Sequence, residues 1–170
     1  ANTIMIQLVF LAAYAMDGFA YSAEALTGNS IGARDLDGFY LAVKRCALWC
    51  GGSAIFASVF FLLLCIPIFN LLTDLEPVRA LMIDYRWWLI LLPLIAAPSY
   101  LLDGIFIGTA ETRYMMYTMM LSTVLVYLPV WYLTTGWGNH GLWLSFTLFN
   151  AARGLSLQLC YWHLSRTGRW

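Results

Sequence analysis

Apolar residues run along this chain in long blocks, and the charged residues gather in short clusters between them. Five blocks reach the roughly 20 mostly apolar residues that a helix needs to cross a bilayer: residues 3–31, 39–70, 86–110, 114–135 and 141–164. The breaks carry their own punctuation. "GARDLDG" (32–38) holds Arg34, Asp35 and Asp37, and "TDLEPVRALMIDYR" (73–86) holds Asp74, Glu76, Arg79, Asp84 and Arg86 beside Pro77. "ETR" (111–113) is short and charged, and "TTGWGNHG" (134–141) has the glycines of a tight turn. Pro67, Pro93, Pro98 and Pro129 fall inside or near the ends of blocks. A membrane bundle tolerates them where neighbours or water re-satisfy the freed carbonyls, at the expense of kinks. The pattern predicts an all-α integral membrane protein with five transmembrane helices.

Composition agrees and narrows the function classes. The chain is 62% hydrophobic and 11% charged, whereas a soluble domain carries about a quarter charged residues. Net charge is zero, and no basic cluster offers the electrostatic footprint of a nucleic-acid partner. Cys46, Cys50, Cys65 and Cys160 lie in apolar stretches without the paired spacings of a zinc site. They read as small packing residues, and no metal is expected. His140 and His163 have no partner at ligand spacing and read as interfacial or structural.

Lys and Arg stay preferentially on the cytoplasmic side of a membrane. One side holds Arg34, Lys44, Arg45, Arg113, Arg166 and Arg169, the other only Arg79 and Arg86. Residue 1 is therefore expected outside and the C-terminus in the cytoplasm, with Trp87, Trp88, Trp131, Trp137 and Trp143 forming an aromatic belt at the outer ends. An odd number of helices, a first residue that is not Met and the lack of a cleavable signal suggest a piece of a longer chain. Ala12, Ala13, Ala15, Gly18 and Ala20 in the first helix, and Gly51, Gly52, Ser53 and Ala57 in the second, predict close helix packing.

A charge at the bilayer centre costs about 2.5–3.5 kcal/mol on insertion scales, so an ionisable residue there is a functional candidate. Asp17 and Asp103 lie about 20 and 24 Å along helices that run the same way, and Arg153 about 18 Å along the fifth. Arg153 is expected to pair with one of the two aspartates, leaving the other with burial favouring its neutral form. Glu24 follows Asp17 by two helical turns and shares its face, nearer the cytoplasm. Asp17 and Asp103 are each followed by glycine, which leaves room for an ion, a water or a neighbouring backbone.

Two stretches carry a family resemblance. "AEALTGNSIGARD" resembles the Gly-Gln-x-x-Gly-Ala signature of the second helix of each lobe in the multidrug and toxic compound extrusion (MATE) family, with Asn29 in place of glutamine and Gly28, Gly32 and Ala33 matching. "LLDGIFIGTAETRYM" looks like the fourth helix of a lobe and the turn after it, closest to the DinF-type branch, although Ala110 and Glu111 depart from the glycine-rich form. The resemblance implies helices 8 to 12 of a twelve-helix transporter, most of the C-terminal lobe. The seventh helix and the N-terminal lobe would then be partners from the same chain, and the home a bacterial inner membrane. It implies a cation-linked role for Asp103, makes Arg153 a feature of the branch, and assigns Asp17 no family-wide role.

The activity this implies is secondary antiport: export of amphipathic, often cationic compounds in exchange for H+ or Na+, with no cofactor beyond that ion. Two lobes would rock about a central cavity, with Met115, Met116, Met119 and Met120 either lining it or packing against lipid. A lipid-linked precursor flippase of the same superfamily is the alternative. An intramembrane aspartyl protease would need Tyr-Asp and Gly-x-Gly-Asp motifs, and here Met16 precedes Asp17 and "YLL" precedes Asp103. No enzyme activity is expected.

Overall fold

A computed structural model describes residues 1–168 and Trp170; Arg169, counted above among the cytoplasmic cations, lies outside the described residues. The described residues are almost all helical, with short turns between the elements. α1 (Asn2–Gly32), α2 (Leu36–Leu72) and α3 (Glu76–Gly108) are joined by very short turns. α4 (Thr112–Ser122) runs through a π-helical stretch (Thr123–Tyr127) into α5 (Leu128–Leu133), and a single 3₁₀ turn (Thr135–Trp137) leads to α6 (Asn139–Thr167). Four segments are long and apolar enough to cross a membrane: α1, α2, α3 and the continuous Thr112–Leu133. The fifth expected span, α6, is 29 residues long but more polar, and at 1.5 Å per residue it extends about 44 Å.

The bundle is apolar on its outside, as a lipid solvent demands. Trp49, Phe56 and Leu63, spaced by two turns on α2, are each about 70% exposed. α3 is the central helix, packing on α1, α2 and α6. One apolar core near the Asn2 end joins Met5, Phe61, Phe69, Met82, Leu89 and Trp143. A second, at the opposite end, joins Met16, Phe39, Ile105, Phe106 and Leu164. Trp170 closes the second core, its ring centroid 5.2 Å from Phe39 and 6.0 Å from Phe106.

Hydrogen bonds tie the other end. The Asn2 and Asn139 amides donate to one another reciprocally at 2.5 and 2.6 Å, and Trp88 Nε1 donates to His140 Nδ1 at 3.2 Å. α1, α3 and α6 thus run parallel. Arg34, Arg113 and Arg166 lie at the end opposite Arg79 and Arg86.

Several expectations are corrected. The third helix starts not at 86 but at Glu76, because Pro77 sits in its first turn, where a missing N–H costs nothing. Its charged opening turns are also amphipathic: Met82 is fully buried while Val78, Ile83 and Tyr85 pack on the first core. Trp143 is no belt residue; it is 4% exposed, and its indole N–H donates to Asn2 Oδ1 at 3.4 Å.

Gly18, Gly51 and Gly52 make no close approach, since a Cβ at any of them would meet nothing within 4 Å. The tight crossing falls at Ala20, one of the small residues expected to pack, and its glycines are the Gly104-xxx-Gly108 pair of α3. A Cβ at Gly104 would strike the Ala20 carbonyl, and one at Gly108 the Glu24 carbonyl and Thr27 Oγ1. Without a hydrophobic force between helices in lipid, such small-residue contacts are what lets van der Waals packing hold them.

The turns after α1 and α3 are built alike. Asp35 N–H donates to Ser30 O and Glu111 N–H to Phe106 O, each closing a helix after a residue of positive φ: Arg34 at 56° and Ala110 at 61°. An L-residue there carries a steric cost of about 1–2 kcal/mol that glycine avoids. Ala110→Gly is expected to raise stability by up to about 1 kcal/mol, the rest being lost to glycine's entropy, as read from thermal unfolding of the solubilised protein.

Candidate functional site

α3 brings Asp103 to the side of the bundle where α1 and α6 face each other, and the neighbouring helices approach closely enough to reach it. On one side Gly104 admits the α1 backbone at Ala20, which sets Asp103 level with Phe19 and Ala20, within a turn of Asp17. On the other, Gly154 of α6 lies against Pro98 and Ser99, at 3.5 Å from where its Cβ would be. Its neighbour Arg153 is thereby delivered to the acid. Arg153 Nη2 donates to Asp103 Oδ2 at 2.5 Å, and both side chains are 15% exposed. Asp103 Oδ1 and Arg153 Nε are buried and have no hydrogen-bond partner among the described residues.

All four ionisable residues singled out from the sequence line one open cavity of about 310 Å³: Asp17, Glu24, Asp103 and Arg153. Asp17 and Glu24 are half-buried, and neither has a salt bridge among the described residues. Three carboxyl groups therefore line the cavity with one guanidinium, which is held by Asp103. The remaining wall includes Tyr21, Tyr100, Ile107 and Met115. Of the four methionines, only Met115 reaches this cavity and the apolar core; Met116, Met119 and Met120 are exposed on the outer face of α4.

The other candidates take structural places. Cys46, Cys50 and Cys65 are buried packing residues, with the Cys50 thiol directed at Ala97 O at 3.7 Å, while Cys160 is half-buried. His140 packs edge-on to Tyr85 at 4.6 Å between centroids. His163 is exposed on α6.

Two polar residues, Tyr100 in the wall of the site and Asn150 beside it, went unread in the sequence. Tyr100 is one turn before Asp103 and Asn150 one turn before Arg153, so spacing by three was the available signal. Asn150 is 5% exposed, and its amide nitrogen donates to Phe146 O at 2.9 Å. Among the described residues no group of three or more His, Cys, Asp or Glu side chains is arranged to hold a metal ion.

The chain is similar to known proteins in two respects. Residues 1–133 match the family model described as MatE. Over 170 residues the chain is 38% identical to "DNA damage-inducible protein F" of Escherichia coli (strain K12), an alignment covering 99% of this chain and 37% of that protein. No solved structure matches. The chain thus spans little more than a third of the relative's length, and the aligned region includes both Asp103 and Arg153. Apolar-faced helices that bury acids and an arginine among themselves fit the matched pattern, and with residues 1–133 inside it the chain belongs to the MatE family of multi-pass membrane transporters, which are not enzymes.

Proposed function

We propose that this chain is the greater part of the C-terminal lobe of a secondary antiporter, helices 8 to 12 of twelve, that exports amphipathic and often cationic compounds against an inward flow of H+ or Na+. The observation that carries the reading is the shared cavity, in which Asp103 holds Arg153 by one oxygen while Asp17 and Glu24 have no ion-pair partner among the described residues. A proton or sodium ion arriving at Asp103 competes with Arg153 for the carboxylate. Once Asp103 is neutralised, the guanidinium is freed toward Asp17 and Glu24 in the same cavity. An acid that alternates between two cations is a two-state element that ion binding can bias.

In this reading the Arg34 end faces the cytoplasm of a bacterium and the Asn2 end the outside, in keeping with the placement of the arginines. A seventh helix and an N-terminal lobe of the same protein complete the cavity, and the bilayer surrounds it.

The test is full-length protein reconstituted in vesicles with an imposed proton or sodium gradient. Asp103→Asn is expected to abolish gradient-driven efflux of a fluorescent cation from vesicles that hold as much folded transporter as the wild type, even though the unpaired Arg153 lowers its thermal stability. Undiminished efflux in that variant would refute the reading, as would peptide cleavage by the wild type.

A further inference from the structure

The acid cavity is the innermost of three that follow one another along the seam between α1, α3 and α6. At the Asn2 end is an open vestibule of about 290 Å³ lined by Ile6, Phe10, Tyr127, Leu142 and Trp143, with Val9 and Phe146 at its floor. Val9 and Phe146 are also walls of the next, a small cavity of about 10 Å³ that includes Met16, Pro93, Tyr100 and Asn150. Tyr100 is shared in turn with the acid cavity. The series descends from Asn2 to Asp17, 15 residues of α1 or about 22 Å.

The middle cavity has the volume of a single water and polar groups to hold one. A site of about 10–15 Å³ on this measure takes one water if two to four polar partners are present. The structure gives the Asn150 amide one bond, to Phe146 O, and an amide has two donors and an acceptor oxygen to offer. Tyr100, which carries a hydroxyl, is also part of the wall of this cavity. Above it, Val9, Phe146, Ile6 and Leu142 are apolar, and apolar constrictions gate by drying. Below it, past Tyr100, Asp103 Oδ1 has no partner among the described residues.

We propose that this series of cavities is an intermittent water path from the outer face to Asp103, with Asn150 holding a water midway, Val9 and Phe146 forming a drying gate above it, and Tyr100 dividing it from the acids. The inference rests on Asp103 as the coupling acid, and gives that acid an outward route inside its own lobe. Asn150 and Tyr100 are positioning residues for water; neither exchanges the coupling ion.

Hydroxyl-radical footprinting of the full-length transporter in lipid nanodiscs, read by mass spectrometry, tests it through two methionines. Met16 is 3% exposed and lines the middle cavity, whereas Met82 is fully buried in the apolar core away from the three cavities. Radicals formed on a bound water should oxidise Met16 several-fold faster than Met82. Asn150→Leu is expected to remove that excess and Phe146→Ala to increase it, while unchanged Met82 oxidation shows that the variants remain folded. Met16 oxidised no faster than Met82, or indifferent to both substitutions, would overturn the path. Asp103→Asn is expected to leave the Met16 excess in place, so a failure of the coupling role and a failure of the water path give different results.

Discussion

With Arg153 replaced by leucine and Asp103 retained, the solubilised protein loses about 3–5 kcal/mol, the usual cost of removing one partner of a buried pair. The carboxyl is only 15% exposed and its sole ion-pair partner among the described residues is gone. It can escape by taking up a proton, which for an ordinary carboxyl costs about 4 kcal/mol at pH 7. The penalty thus exists only above the pH at which the unfolded carboxyl ionises, and it shrinks as pH falls toward that value. Thermal unfolding followed by tryptophan fluorescence should show the single variant recovering at pH 5 relative to pH 7. Arg153→Leu combined with Asp103→Leu should regain most of the loss at neutral pH, because well-packed apolar replacements of a buried pair are often neutral. Equal stability of single and double variants at pH 7 would show that the pair carries no such dependence.

Gly104→Val separates α1 from α3 and takes the site with it. The added carbon collides with the backbone carbonyl of Ala20, an atom that no rotamer change moves aside. Overpacking of this kind costs about 1–3 kcal/mol and more where backbone must shift. The displacement pushes Asp17 and Glu24 away from Asp103 and Arg153, so gradient-driven efflux should fall further than stability does. Gly51→Ala is the matched control: nothing lies within 4 Å of its added carbon, and a change within about 0.5 kcal/mol is expected. Similar losses in both variants would mean that glycine content, rather than the crossing at Ala20, sets helix packing.

The helices were legible in the sequence because bilayer thickness imposes a length on apolar runs, and an unbroken apolar run of that length satisfies its backbone in lipid by coiling into a helix. The candidate acids and Arg153 were legible for the same reason, since a charge inside such a run contradicts its solvent. Which aspartate Arg153 takes was not, because it depends on how α6 leans on α3. The packing of α6 at Gly154 against Pro98 and Ser99 decides that, and no intrahelical spacing reports it.

The glycines show the same boundary. Gly18, Gly51 and Gly52 resemble Gly104 and Gly108 in sequence, but only the latter two, spaced by four on the central helix, meet another backbone. The charged opening of α3 was misread because a polar segment outside the membrane can continue a helix once Pro77 has started it. Trp143 was misread because an indole at a helix end serves equally as interfacial anchor or as core, and the amide of Asn2 made it core.

The π-helical stretch Thr123–Tyr127 stands directly before Pro129, whose ring cannot accommodate the carbonyl of Leu125 and which has no N–H to give. The wider turn absorbs that conflict, and it also leaves an extra residue in the ladder, about 100° of phase. Thr118 and Ser122 are buried below it, while Leu128, Pro129, Tyr132 and Leu133 above it are all exposed. Like a dislocation pinned at one point of a crystal row, the defect stays where Pro129 demands it, and the two halves of this span present their faces on different bearings.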